Sequence, residues 1–160
     1  MSPPTPPPPA ASEALRQFRV IFGAVRQHFH EVEKACGVSS AQIWALSALR
    51  DTPGMKVSEL AQALSIHAST ASNMLDKIEK AGLIRRERNS ADQRVVRLYL
   101  TEAGLQIVND APRPLTGILT HALSNLPEST LARLNDDLRQ LIAQMDTADV
   151  RDAQKPLTDI

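Results

Sequence analysis

The chain has one cysteine, Cys36, in 160 residues. That excludes an intrachain disulfide framework and favours a reducing compartment. No apolar run approaches the roughly 18–20 residues of a membrane span. The N-terminus lacks the basic-then-apolar order of a secretory leader and is proline-rich instead. There is no nucleophile elbow, no glycine-rich phosphate loop and no metal-binding cluster, so no enzyme activity, cofactor or metal is expected. His28 and His30 stand two apart on a helical stretch and so do not share a face, which makes them a poor ligand pair. Formal net charge is zero, which argues against a generally basic, non-specifically adhesive protein. These absences leave a cytoplasmic chain without membrane attachment.

The charge that is there is unevenly spread. Residues 67–100 carry seven Lys and Arg (Lys77, Lys80, Arg85, Arg86, Arg88, Arg94, Arg97) against four acids (Asp76, Glu79, Glu87, Asp92). Residues 101–160 carry five against nine. A basic segment within a neutral chain suits a DNA-contacting face on an otherwise ordinary body.

Six of the first nine residues are proline, so residues 1–11 read as a disordered tail. Ser12 is the expected cap of a first helix. Its apolar positions Leu15, Phe18, Phe22, Val25, Phe29 and Val32 alternate spacings of three and four, with Cys36 next and Gly37 as the stop. Such a heptad-like seam packs against another long helix, either of its own chain or of a second subunit. Ser39 or Ser40 caps a second helix that ends at Thr52-Pro53-Gly54. Ser58 is placed to cap a short third helix. A turn at Ser65-Ile66-His67 leads to a helix from about Ala68 to Ala81, with Gly82 after it.

Leu83–Arg88 and Val95–Leu100 read as strands joined by a charged loop, a β-hairpin. Thr101 caps a further helix, which Pro112 and Pro114 break or kink. Pro127-Glu128 opens the last helix, where Leu131, Leu134, Leu138, Leu141 and Met145 repeat the three–four spacing. Residues 148–160 read as a polar, frayed tail.

Two short helices, a three-residue turn, a glycine stop and a hairpin with a charged tip describe a winged helix-turn-helix. The fold class is therefore mainly α with a small β-wing. The winged module spans residues 39–101. It is flanked by N- and C-terminal dimerisation helices, residues 12–38 and 102–147. A recognition helix needs short polar side chains that approach base edges closely. Ser69, Thr70 and Asn73 share one outward face of the second short helix, with Ser72 beside it and Lys77 one turn on, within reach of a phosphate. Arg94 in the hairpin loop suits the negative potential of a minor groove. Arg85, Arg86, Arg88 and Arg97 are phosphate-contact candidates.

VSELAQAL, STASNMLDKIEKAGLIRR and DQRVVRLYLTEAG together resemble the multiple-antibiotic-resistance regulator (MarR) family. The last segment carries Asp92, Arg94, Leu100, Thr101 and Gly104. The resemblance spans residues 12–147. It implies a homodimer presenting two winged modules to a pseudo-palindromic site on double-stranded DNA, usually a repressor released by a small, aromatic or phenolic ligand or by an oxidant. It also implies that Asp92 shapes the wing by pairing with Arg86 or Arg88. By the same likeness Phe29, His30, Trp44 and Arg50 neighbour an effector pocket.

Two alternatives accompany this reading. Cys36 is either a redox sensor or a small buried hydrophobe; it extends an apolar stripe and lies at a helix C-terminus, where thiolates are not favoured. A winged helix also serves as a protein-binding module without DNA. The small polar face and the Arg94 loop argue against that loss.

Overall fold

A computed structural model describes residues 5–160. Seven helices and one hairpin follow in the order α1 Pro9–Cys36, α2 Ser40–Asp51, α3 Val57–Ala63, α4 Ala68–Lys80, β1 Ile84–Arg88, β2 Val96–Leu100, α5 Glu102–Asp110, α6 Ile118–Ser124 and α7 Glu128–Ala143. The mainly helical class with a two-stranded antiparallel wing agrees with the sequence reading.

The core sits under the helix-turn-helix. Leu46 and Leu49 of α2, Leu60 of α3, Leu75 and Ile78 of α4 and Leu98 of β2 are essentially inaccessible to solvent. In α4 the buried positions are Ala71, Met74, Leu75 and Ile78, a helical stripe whose burial leaves the opposite polar face outward. In the hairpin Ile84 faces Leu100, Arg86 faces Leu98 and Arg88 faces Val96. Met55 adds a bridge beside Leu98, so the chain after α2 forms a short third edge of the wing.

Two helix starts differ from expectation. α1 begins at Pro9, with Pro8 as its cap, and Ser12 lies inside the helix donating to the Pro7 carbonyl. A proline at the first helical position lacks only an N–H that has no partner there, and its φ is already helical. The tail reading thus fails for residues 9–11, and residues 1–4 lie outside those described. α3 is capped at Lys56, whose N–H donates to Glu59 Oε2 at 2.8 Å, and Ser58 is its second residue. The caps of α2 and α5 follow the sequence. Ser39 accepts from Gln42 N–H while Gln42 Oε1 accepts from Ser39 N–H. Thr101 Oγ1 accepts from Gly104 N–H.

The α1 seam divides. Val32 is buried and Cys36 packs against the core, whereas Leu15 and Phe22 remain 43% and 61% exposed. One end of the stripe therefore serves its own chain, and among the described residues the other stays largely open to solvent. No residue of α7 is fully buried; Leu131, Leu134 and Leu138 are half-buried, and Leu141 and Ile142 at its end, with Met145 just beyond it, lie exposed.

Residues 148–160 are not frayed. They wind into 3-10 turns at Val150–Gln154 and Leu157–Asp159, with Pro156 buried between them. The second turn packs on α2.

Candidate nucleic-acid interface

The turn between α3 and α4 is set by backbone geometry. Ser65 adopts φ 54°, and the N–H groups of Ser65 and Ile66 return to the Gln62 and Ala61 carbonyls. This closes α3 in the manner of a left-handed helix end. His67 then caps α4, its Nδ1 accepting from Ser69 N–H at 3.2 Å and lying 2.8 Å from Ser69 Oγ. His67 is thus a structural cap of the recognition helix rather than an idle turn residue. Single-sequence reasoning passes over it, because histidine is an uncommon N-cap.

The face opposite the buried stripe carries the candidate base readers. Ser69, Asn73 and Lys77 are exposed, while Thr70 and Ser72 are half-buried at its margins. Lys77 and Lys80 occupy the last turn of α4, where a positive charge also suits the helix dipole.

The arginines of the wing divide into two kinds. Arg94 sits in the loop with its side chain 95% exposed. Arg86 is held by two carboxylates of α4, Asp76 at 2.8 Å and Glu79 at 3.4 Å, with its side chain 27% exposed. It braces β1 against the recognition helix, so its charge is already partnered. Arg88 donates to the Gln93 carbonyl at 2.9 Å and closes the loop. Arg97 donates to the Gly54 carbonyl at 3.0 Å. Arg85 stacks over the Tyr99 ring across the hairpin and pairs with Glu87.

Asp92 does not pair with Arg86 or Arg88. Its Oδ1 accepts from Arg94 N–H at 3.0 Å and lies 3.7 Å from Arg94 Nε. The wing is short enough for an aspartate to bond the backbone two residues on, a local turn that competes with any longer-range partner. Asp92 still shapes the loop, but by fixing the backbone that carries Arg94.

Behind α4 lies a cavity of 840 Å³ between α1, α2, the turn, α6 and the C-terminal segment. Its lining includes Phe29, Trp44, Ile66, Leu119, Met145 and Leu157 and is mostly apolar. Phe29 and Trp44 both line it. His30 and Arg50 are not among its lining residues: His30 faces outward on α1, and Arg50 at the far end of α2 pairs with Asp51 at 2.8 Å. Among the described residues no group of three His, Cys, Asp or Glu is placed to hold a metal ion, and no helix is long and apolar enough to cross a membrane.

Cys36 is half-buried against the core. Burial pushes its thiol above the usual range, and the carboxylate of Asp110 pushes it further the same way. Reactive cysteines need the opposite environment.

Residues 38–96, which hold the turn, the polar helix face and the wing, match the sequence model of the MarR family. The winged helix-turn-helix of this chain is thus similar to that of the MarR family. The chain is 31% identical over 93 residues to the HTH-type transcriptional repressor MdtR of Bacillus subtilis, an alignment covering 58% of this chain and 60% of that repressor. Among solved structures it is similar to a MepR-like protein complexed with pseudoligands, with TM-score 0.59, 23% identity, and 82% and 94% of the two chains covered. It is also similar to FabT of Streptococcus pneumoniae in complex with DNA, with TM-score 0.56, 20% identity, and 83% and 95% covered. The motif by which this sequence resembles the MarR family has a physical reason here. Thr101 Oγ1 donates to the Gly82 carbonyl at 2.7 Å and its N–H to the Leu83 carbonyl at 3.0 Å. Thr101 thereby ties the start of α5 to the end of the recognition helix.

Proposed function

We propose that this chain is a MarR-family, sequence-specific DNA-binding transcriptional regulator, a repressor acting as a homodimer and released by a small aromatic or phenolic ligand. One observation carries the reading: α4 presents an outward face of Ser69, Thr70 and Asn73, with Lys77 behind it and the wing's exposed Arg94 beside it. Short polar side chains on a rigid helix anchored by its buried side reach base edges in a major groove, while an exposed loop arginine reaches the adjacent minor groove. Lys77, and Arg88 at the wing base, are the phosphate contacts that fix register.

A dimer is supported by the two apolar faces the single chain leaves bare, Leu15 and Phe22 on α1 and Leu141 on α7. A 16-residue amphipathic helix with no fully buried residue has apolar surface left for a second chain. The effector role is supported by the apolar cavity between the helices that would join the subunits and the helix-turn-helix, since apolar, concave sites of this size suit small ligands. The MdtR relative is a repressor by name, and the MepR-like structure holds pseudoligands.

Selection of duplexes from a random pool with the full chain tests the reading. An enriched motif with two related half-sites, spaced about one helical turn (~10 base pairs) centre to centre, is expected. A pool that shows no enrichment contradicts it and favours a protein-binding winged helix.

A further inference from the structure

The C-terminal segment does not lie where a spare tail would. The carbonyl of Gln154 accepts a 3.0 Å hydrogen bond from the N–H of His67, the residue that caps α4. Pro156 is buried, and Pro156 and Leu157 form part of the apolar cavity wall. Lys155, Thr158 and Asp159 share a second cleft of 640 Å³ with Thr70, Asn73 and Lys77 of α4. The segment is thus joined both to the start of the candidate recognition helix and to the side chains proposed to read and hold DNA.

We propose that residues 149–160 form an autoinhibitory strap on the DNA-reading helix. This inference rests on the DNA-binding reading above. Two features give it its sign. The strap forms one wall of the cleft whose other wall holds Thr70, Asn73 and Lys77, so a duplex drawn against those residues meets it. Its acids Asp149, Asp152 and Asp159 outnumber Arg151 and Lys155, and negative charge beside a phosphate-binding face opposes DNA.

The attachment is also light enough to release. Val150, Leu157 and Ile160 stay 82%, 45% and 66% exposed, and three of the segment's ion pairs and hydrogen bonds are internal to it: Arg151 with Asp149, Lys155 with Asp152, and Thr158 with Asp159. A strap docked most of the time lowers the apparent affinity for DNA by the fraction of molecules in which it is open. A ligand packed in the cavity against Pro156 and Leu157 favours the docked state, which couples the cavity to the reading face without a long pathway.

The test compares the full chain with a full-length Pro156→Ser, Leu157→Ser variant and with a chain ending at Thr147. Each is titrated against a fluorescent duplex obtained by selection from a random pool, at fixed salt. In parallel, Thr70→Cys in a Cys36→Ser background is labelled with a maleimide, with and without the two serine substitutions. The expected result is binding about fivefold or more tighter in both loosened forms, with faster labelling at position 70. Equal affinities and equal labelling rates overturn the strap while leaving DNA binding intact. Failure of every form to bind any selected duplex overturns the DNA reading and the inference with it. Should the truncated chain fail to fold, the full-length serine variant still decides.

Discussion

Gly104 lies so close to Leu83 that a side chain at 104 has no room: a Cβ there would stand 2.1 Å from the Leu83 carbonyl oxygen. That approach brings the first turn of α5 onto Leu83, which leads from the recognition helix into β1. The wing and α4 are therefore positioned against α5 through backbone atoms, which do not yield as a flexible side chain does. Gly104→Ala is expected to cost roughly 1–3 kcal/mol through forced backbone displacement. Thermal unfolding of the variant against the parent checks this; an unchanged midpoint contradicts it.

Arg86 and Arg94 are predicted to differ in their effect on stability. Arg86 is tied to Asp76 and Glu79 and mostly shielded, so Arg86→Ala is expected to lower stability by about 0.5–1 kcal/mol after allowing for solvent screening. Arg94 is almost fully exposed, so Arg94→Ala is expected to leave stability within about 0.5 kcal/mol. Urea unfolding of both variants separates them. Equal losses would mean that the wing loop is held through Arg94 after all.

Cys36 is expected to behave as a core thiol. With its pKa raised by burial and by Asp110, the thiolate fraction at neutral pH falls below that of an unstructured cysteine. Iodoacetamide should therefore react slowly with the folded chain at pH 7 and faster as pH rises into the alkaline range, with the difference lost in denaturant. Rapid alkylation of the folded chain at neutral pH, with DNA binding lost on peroxide treatment and kept in Cys36→Ser, would restore the redox reading.

The bare apolar ends of α1 and α7 make a prediction about assembly. Phe22→Asp or Leu141→Asp places a charge on a surface proposed to face the second copy, where burying it unpaired is costly. Sedimentation analysis should show a dimer for the parent and a shift towards one-chain mass for each variant, with helix content kept. Dimers unaffected by both substitutions would point to a different interface.

Much of this fold was legible in the sequence because its signals are local and mutually consistent. The Ser39 cap, Gly82 after α4 and Thr101 before α5 each sit where their backbone chemistry requires. The buried stripe of α4 followed from the helical spacing of Ala71, Met74, Leu75 and Ile78. What was not legible depends on interactions that leave no side-chain pattern. The strap docks through a Gln154 carbonyl, which any residue supplies, and through a single buried proline. Asp92 turned to its own loop because an Asx turn forms without a distant partner. The α1 seam reads as one continuous stripe in sequence, yet half of it is core and half is bare, and periodicity alone carries no information about which neighbour arrives. Of the four pocket candidates, Phe29 and Trp44 reach the cavity, while His30 points off the α1 face and Arg50 lies at the wrong end of α2.

The most direct test of the central claim is the salt dependence of binding to a selected duplex, measured for the parent and for Arg94→Ala. Log affinity should fall linearly with log salt for both, and the slope for Arg94→Ala should be shallower by about 0.9 for each phosphate charge that Arg94 neutralises. Binding to that duplex no tighter than to a scrambled one, or insensitive to salt, would contradict the account and leave the winged helix as a surface for protein rather than DNA.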